Sequence, residues 1–218
     1  MTIREQIRNS APVMVITYAI TTAILSIVIF IGIEFNVELD HFTQDPVTVM
    51  DAPFYLGFFS HFGILFWCGT AILCFYTRII LRNTSTNSEH LKFMLYSGLI
   101  TSLLLFDDLF LLHESVFPEF LNMNKGTVYV VYVNIILLYL LFFRNEILES
   151  EYVILIIASA LIAVSQFVDM LPMPLPEDSF LEDAVKLFGI VTWFIYYARY
   201  CFQKTEAVFA EAEKSTSR

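Results

Sequence analysis

The chain has 218 residues, 57% of them apolar and 16% charged, with a mean hydropathy of +0.68, whereas a soluble globular protein carries about 25% charged residues. The expected class is an integral membrane protein. Cys68, Cys74 and Cys201 all lie in or at the end of apolar runs, which excludes a secreted disulfide framework and leaves them as small hydrophobes. A formal charge of −10 excludes non-specific nucleic-acid binding, which needs Lys and Arg to displace phosphate counterions.

A helix needs about 20 apolar residues to cross a hydrocarbon core about 30 Å thick. Six runs approach that length, over 12–34, 54–80, 92–115, 127–143, 152–171 and 181–203. They predict an all-α bundle of six transmembrane helices, a single polytopic membrane domain over 1–218. The first run follows Arg4 and Arg8 but is longer than the apolar region of a signal peptide. It ends at Ile33-Glu34 without a small-x-small cleavage site, so it is expected to remain as the first span. Prolines break the links after segments one, three and five, at Pro46 and Pro53, at Pro118, and at Pro172, Pro174 and Pro176. Such links act as short, stiff lids. Beyond Lys204 the tail is polar and helix-prone.

Sidedness follows from Lys and Arg in alternate loops. Arg4, Arg8, Arg78, Arg82, Lys92, Arg144, Arg199, Lys204, Lys214 and Arg218 fall on one side, and only Lys125 and Lys186 on the other. Both termini are therefore expected to be cytoplasmic, in a plasma membrane of the bacterial inner-membrane type. The acidic residues lean the opposite way, which suits either the solubility of short exposed loops or an anionic field that gathers cations near an entrance.

Ionisable groups inside spans are costly unless paired or wet, which makes them functional candidates. Segment three holds Asp107, Asp108, His113 and Glu114. At about 100° per residue, Asp107 and Glu114 lie about 20° apart, with Ser97, Thr101 and Asp108 on a neighbouring arc. His113 points about 120° away from Asp107 unless the helix bends or ends there. Segment six opens with Glu182, Asp183 and Lys186, where Glu182 and Lys186 have the favourable i,i+4 order, and Lys186 is also a cross-helix partner for Asp107 or Asp108. Below them Gly189, Trp193, Tyr196 or Tyr197, and Tyr200 form a stripe that suits either close helix packing or the lining of a substrate or ion path. Segment five brings Asp169 to the same level.

The leading functional expectation is a channel or transporter for inorganic cations or protons. Its ion-binding group would be Asp107, Asp108, Glu114, Asp169, Glu182, Asp183 and Lys186, with partners limited to the bilayer, the ion and a homo-oligomeric copy, and no nucleic acid. One alternative is an intramembrane enzyme acting on a lipid or other apolar substrate. It would use a divalent metal ion held by His61 and His113 with Asp108 and Glu114. The chain has no HExxH, CxxC or paired ExxH, so the spacing does not single out a metal. A further alternative is a non-catalytic subunit of a larger membrane complex.

Overall fold

The computed structural model describes residues 3–37, 40–44, 46–53, 55–84, 87–169 and 176–216. These divide into two compact units, Met1–Leu56 and Gly57–Arg218. The first is built on helix α1 (Ile3–Glu34), followed by the single turns α2 (Asp40–Thr43) and α3 (Pro46–Val49). Within α1 the hydroxyls of Thr21 and Ser26 donate back to the carbonyls of Thr17 and Thr22, at 3.0 and 2.8 Å. That removes the polar groups a hydrocarbon surround would penalise.

The second unit contains α4 (Phe58–Leu81), α5 (Ser88–Phe110), a wide turn over Leu112–Val116, α6 (Phe117–Leu121), α7 (Lys125–Phe142), α8 (Arg144–Leu148), α9 (Tyr152–Asp169) and α10 (Pro176–Thr216). Side chains mark the starts. Asn87 caps α5 by accepting from the Glu89 N–H at 3.0 Å, and Asn124 caps α7 by accepting from the Thr127 N–H at 2.7 Å.

Among the described residues four helices are long and apolar enough to cross a membrane, over Ser10–Glu34, Phe58–Leu81, Ser88–Phe110 and Lys125–Phe142. The chain is accordingly an integral membrane protein, all-α in its described residues. Segments five and six of the sequence reading correspond to α9, a shorter apolar helix, and to part of α10.

In the second unit α10 packs against α9 and α4, and α4 packs against α5. Gly189 permits the first contact. A Cβ there would stand 2.7 Å from Ile162 Cγ1 and 3.0 Å from the Ile162 backbone nitrogen, closer than atoms can sit, so the two helices meet backbone to backbone as the glycine-aromatic stripe predicts. The core is strongly aromatic, with Trp67, Phe93, Tyr139, Trp193, Tyr196, Tyr197 and Tyr200 all buried. Threonine, serine, aspartate and histidine are also buried, at Thr70, Thr77, Ser97, Thr101, Asp107 and His113, while many leucine, isoleucine and phenylalanine side chains of the same unit are exposed. Polar groups inside and apolar groups outside is the distribution a lipid solvent requires.

Candidate functional site

The site forms where α5 stops. Leu111 takes φ 51 and ψ 44, a left-handed conformation that costs a side chain with a Cβ about 1–2 kcal/mol. The turn that follows is wide: the N–H groups of Ser115 and Val116 both donate to the Leu111 carbonyl, at 2.8 and 3.3 Å. A continued α-helix would point His113 away from Asp107. The left-handed step instead swings it back, so that the His113 backbone N–H donates to Asp107 Oδ1 at 3.0 Å and its ring Nδ1–H donates to Oδ2 at 2.5 Å.

From α7 the Tyr132 hydroxyl adds a third donor to Asp107, 2.8 Å from Oδ1. Asp107 and His113 are each 5% exposed, so this carboxylate is buried but fully partnered, as burial of a charge demands. A carboxylate only accepts, which places the ring proton on Nδ1 and leaves Nε2 with a free lone pair. Nε2 lies 3.8 Å from Glu114 Oε1, and the ring packs against Tyr129.

Asp108, one residue on, serves a different network. Its Oδ1 accepts from Lys186 Nζ and its Oδ2 from the Trp67 indole N–H, both at 2.8 Å. Of the two partners foreseen for Lys186, the structure selects Asp108, reached across from α10. A cavity of about 140 Å³ opens beside these groups, lined by Asp108, His113, Glu114, Asp183 and Lys186 together with Ser60 and apolar Phe59, Gly63, Leu111, Leu187 and Ile190.

Asp108, Glu114, Asp183 and Lys186 are thus brought to one cavity. Asp107 is not among its lining residues and connects to it through His113. Glu182, half-buried at the start of α10, is not among the lining residues either. The Asp169 side chain, like Pro172 and Pro174, lies outside the described residues. His61 is exposed and does not line the cavity. Among the described residues no three His, Cys, Asp or Glu side chains are placed to hold a metal ion.

Below the cavity the buried polar groups continue along α5. The Trp67 and Trp193 rings meet edge to face at 5.8 Å, and the Trp193 indole donates to Thr101 Oγ1 at 3.1 Å. One turn further, Ser97 Oγ lies 2.7 Å from the Tyr139 hydroxyl, which lies 2.8 Å from that of Tyr197. Sequence reasoning overlooked Tyr132 and Tyr139. Their signal was present, because Tyr129, Tyr132 and Tyr139 are spaced by 3 and 7 on a mostly apolar segment and so share one helix face.

The profile of a family described as Domain of unknown function (DUF8692) matches residues 13–200. The chain belongs to this family. No curated protein and no solved structure matches it. The stretch matched to DUF8692 takes in every residue lining the cavity and ends at Tyr200.

Proposed function

We propose that this DUF8692 protein is a proton-translocating carrier of the plasma membrane, with six spans, cytoplasmic termini and the cavity opening outward. Support for the six spans comes from packing: Leu155 and Ala158 of α9 and Trp193 and Tyr197 of α10 share one core with Trp67 and Phe93, so these helices belong at the same depth as α4 and α5. The ten-to-two distribution of Lys and Arg supports the orientation.

The observation that carries the reading is the Glu114–His113–Asp107 array, in which an imidazole links a half-exposed carboxylate beside the cavity to a buried one. A proton needs only such alternating donors and acceptors. A dehydrated metal cation needs several free oxygens, and here both oxygens of Asp107 and both of Asp108 are taken by N–H, O–H and ammonium donors. The two aspartates therefore favour protons over metal cations, and only Glu114 and Asp183 remain as carboxylates of the cavity lining with oxygens to offer.

Between Asp108 and Thr101 lies about two turns of α5, at the level where the two indoles meet. An indole N–H donates but cannot accept a proton, so this step is a barrier, and a gated carrier fits it better than an open pore. In this scheme Glu114 and His113 exchange protons with the cavity and Asp107 stores one. Asp108, Lys186 and Trp67 hold the cavity wall in place. The path lies within one chain and requires no second copy.

The test is proton flux into proteoliposomes driven by a potassium diffusion potential and read by an internal pH dye. Wild-type protein should acidify the lumen, and D107N and H113Q should fall at least tenfold while eluting as the wild type does. Wild-type flux no greater than that of protein-free vesicles, or full flux in D107N, would overturn the proposal.

A further inference from the structure

At the opposite end of α5 from the cavity, His90, Glu146, Tyr200 and Lys204 meet from α5, α8 and α10. His90 is 17 residues from Asp107, a rise of about 26 Å along a helix. Its Nδ1 bonds to Glu146 Oε2, the Tyr200 hydroxyl donates to the same oxygen at 3.1 Å, and Lys204 Nζ stands 3.1 Å from His90 Nε2. The Lys204 ammonium also lies 5.3 Å from the centre of the Tyr200 ring. Side-chain exposure is 19% for His90 and 11% for Glu146, so the group is largely shielded.

The order of these groups is informative. A stabilising ion pair between Lys204 and Glu146 would need no ring between its charges, yet the imidazole is interposed. An ammonium has three donors and no acceptor, so Nε2 must offer its lone pair to Lys204 and the ring proton must sit on Nδ1, facing Glu146. Nε2 has one lone pair. An ammonium hydrogen bond and a bound proton therefore exclude each other at that atom, and a proton arriving there would place two cations in contact.

We propose that His90 Nε2 is a second proton-binding site, at the end of the bundle opposite the cavity, and that the Lys204 ammonium occupies it as a tethered competitor in this conformation. A proton takes the nitrogen when Lys204 leaves, and the ammonium returns when the proton is passed on. Nearby charges on the same elements are engaged elsewhere: Lys92 with Glu89 at 2.8 Å, and Arg199 with Glu151, whose carboxyl it holds below the usual carboxylate range. The site deepens the proton reading above and rests on it for its transport role alone.

The test uses the full chain with ¹⁵N-labelled histidine in lipid nanodiscs. The His90 signal is assigned by its loss in H90Q or by elimination with H41Q, H61Q and H113Q. The wild type should carry a neutral His90 ring with its proton on Nδ1 at neutral pH, and in K204M the imidazolium with both Nδ1–H and Nε2–H should appear because the competitor is gone while Glu146 still accepts from Nδ1. A wild-type ring protonated on Nε2, or a ring protonation unchanged in K204M, would overturn the site. In proteoliposomes H90Q should lose at least tenfold in flux. Full flux in H90Q overturns the transport role of His90 while leaving that of Asp107 standing. Absence of wild-type flux overturns the carrier reading, and the ring-protonation result then decides the site by itself.

Discussion

Asp107 and Asp108 are neighbours in sequence, yet they are held in opposite ways. Asp108 is fixed by the Lys186 ammonium and the Trp67 indole N–H. Asp107 is held by a hydroxyl, a backbone N–H and an imidazole, the one side chain of the set suited to gaining and losing a proton. About 100° of helix separates the two carboxylates, enough to send one to α4 and α10 and the other to α7 and the wide turn. Two adjacent acids can therefore divide into a structural lock and an exchangeable site, and residue type alone would not have separated them.

Breaking the lock should give the largest effect on folding. K186M leaves Asp108 buried without its cation and should cost about 3–5 kcal/mol, visible as lower yield and melting temperature. K186M with D108N should recover most of that loss, because neither charge then remains. W67F removes the second donor to Asp108 and should cost about 1–3 kcal/mol, read by the same melting experiment. If K186M melts like the wild type, Asp108 is no lock and the contrast between the two acids fails.

Smaller changes sharpen the other half. Y132F removes one of three donors to Asp107 and should lower stability by about 0.5–1.5 kcal/mol, with flux reduced but not abolished. L111G keeps the left-handed step while relieving its Cβ, and should raise stability by at most about 1 kcal/mol, since the glycine also adds entropy to the unfolded chain. Its flux should match the wild type. A strongly destabilised L111G would mean that the Leu111 side chain, not the backbone turn it permits, organises the site.

Much of this was legible in the sequence because helical periodicity carries it. Ser97, Thr101 and Asp108 were placed on one arc of α5, and Ser97 and Thr101 are fully buried with Asp108 largely so. Gly189 was read as a packing position and meets Ile162. The failures at the end of α5 share one cause, which is that a wheel assumes an unbroken helix. Leu111 at φ 51 carries no glycine or proline to announce the break, so the approach of His113 to Asp107 was visible only as a condition on a bend. Glu114 illustrates the same limit: predicted to share the face of Asp107, it sits on the turn with its Oε1 3.8 Å from Nε2 of His113. The His90 group has no signature in the sequence, because its partners Glu146 and Lys204 lie 56 and 114 residues away, distances that no local pattern reports.

The most direct measurement compares proton flux in D107N with flux in the K186M/D108N double variant, each reconstituted at equal density and judged folded by its elution profile. Both lose one aspartate from the same two-residue step. The account predicts that the double variant conducts within about threefold of the wild type and that D107N falls to the protein-free background; full flux in D107N, or equal loss in both, would contradict it.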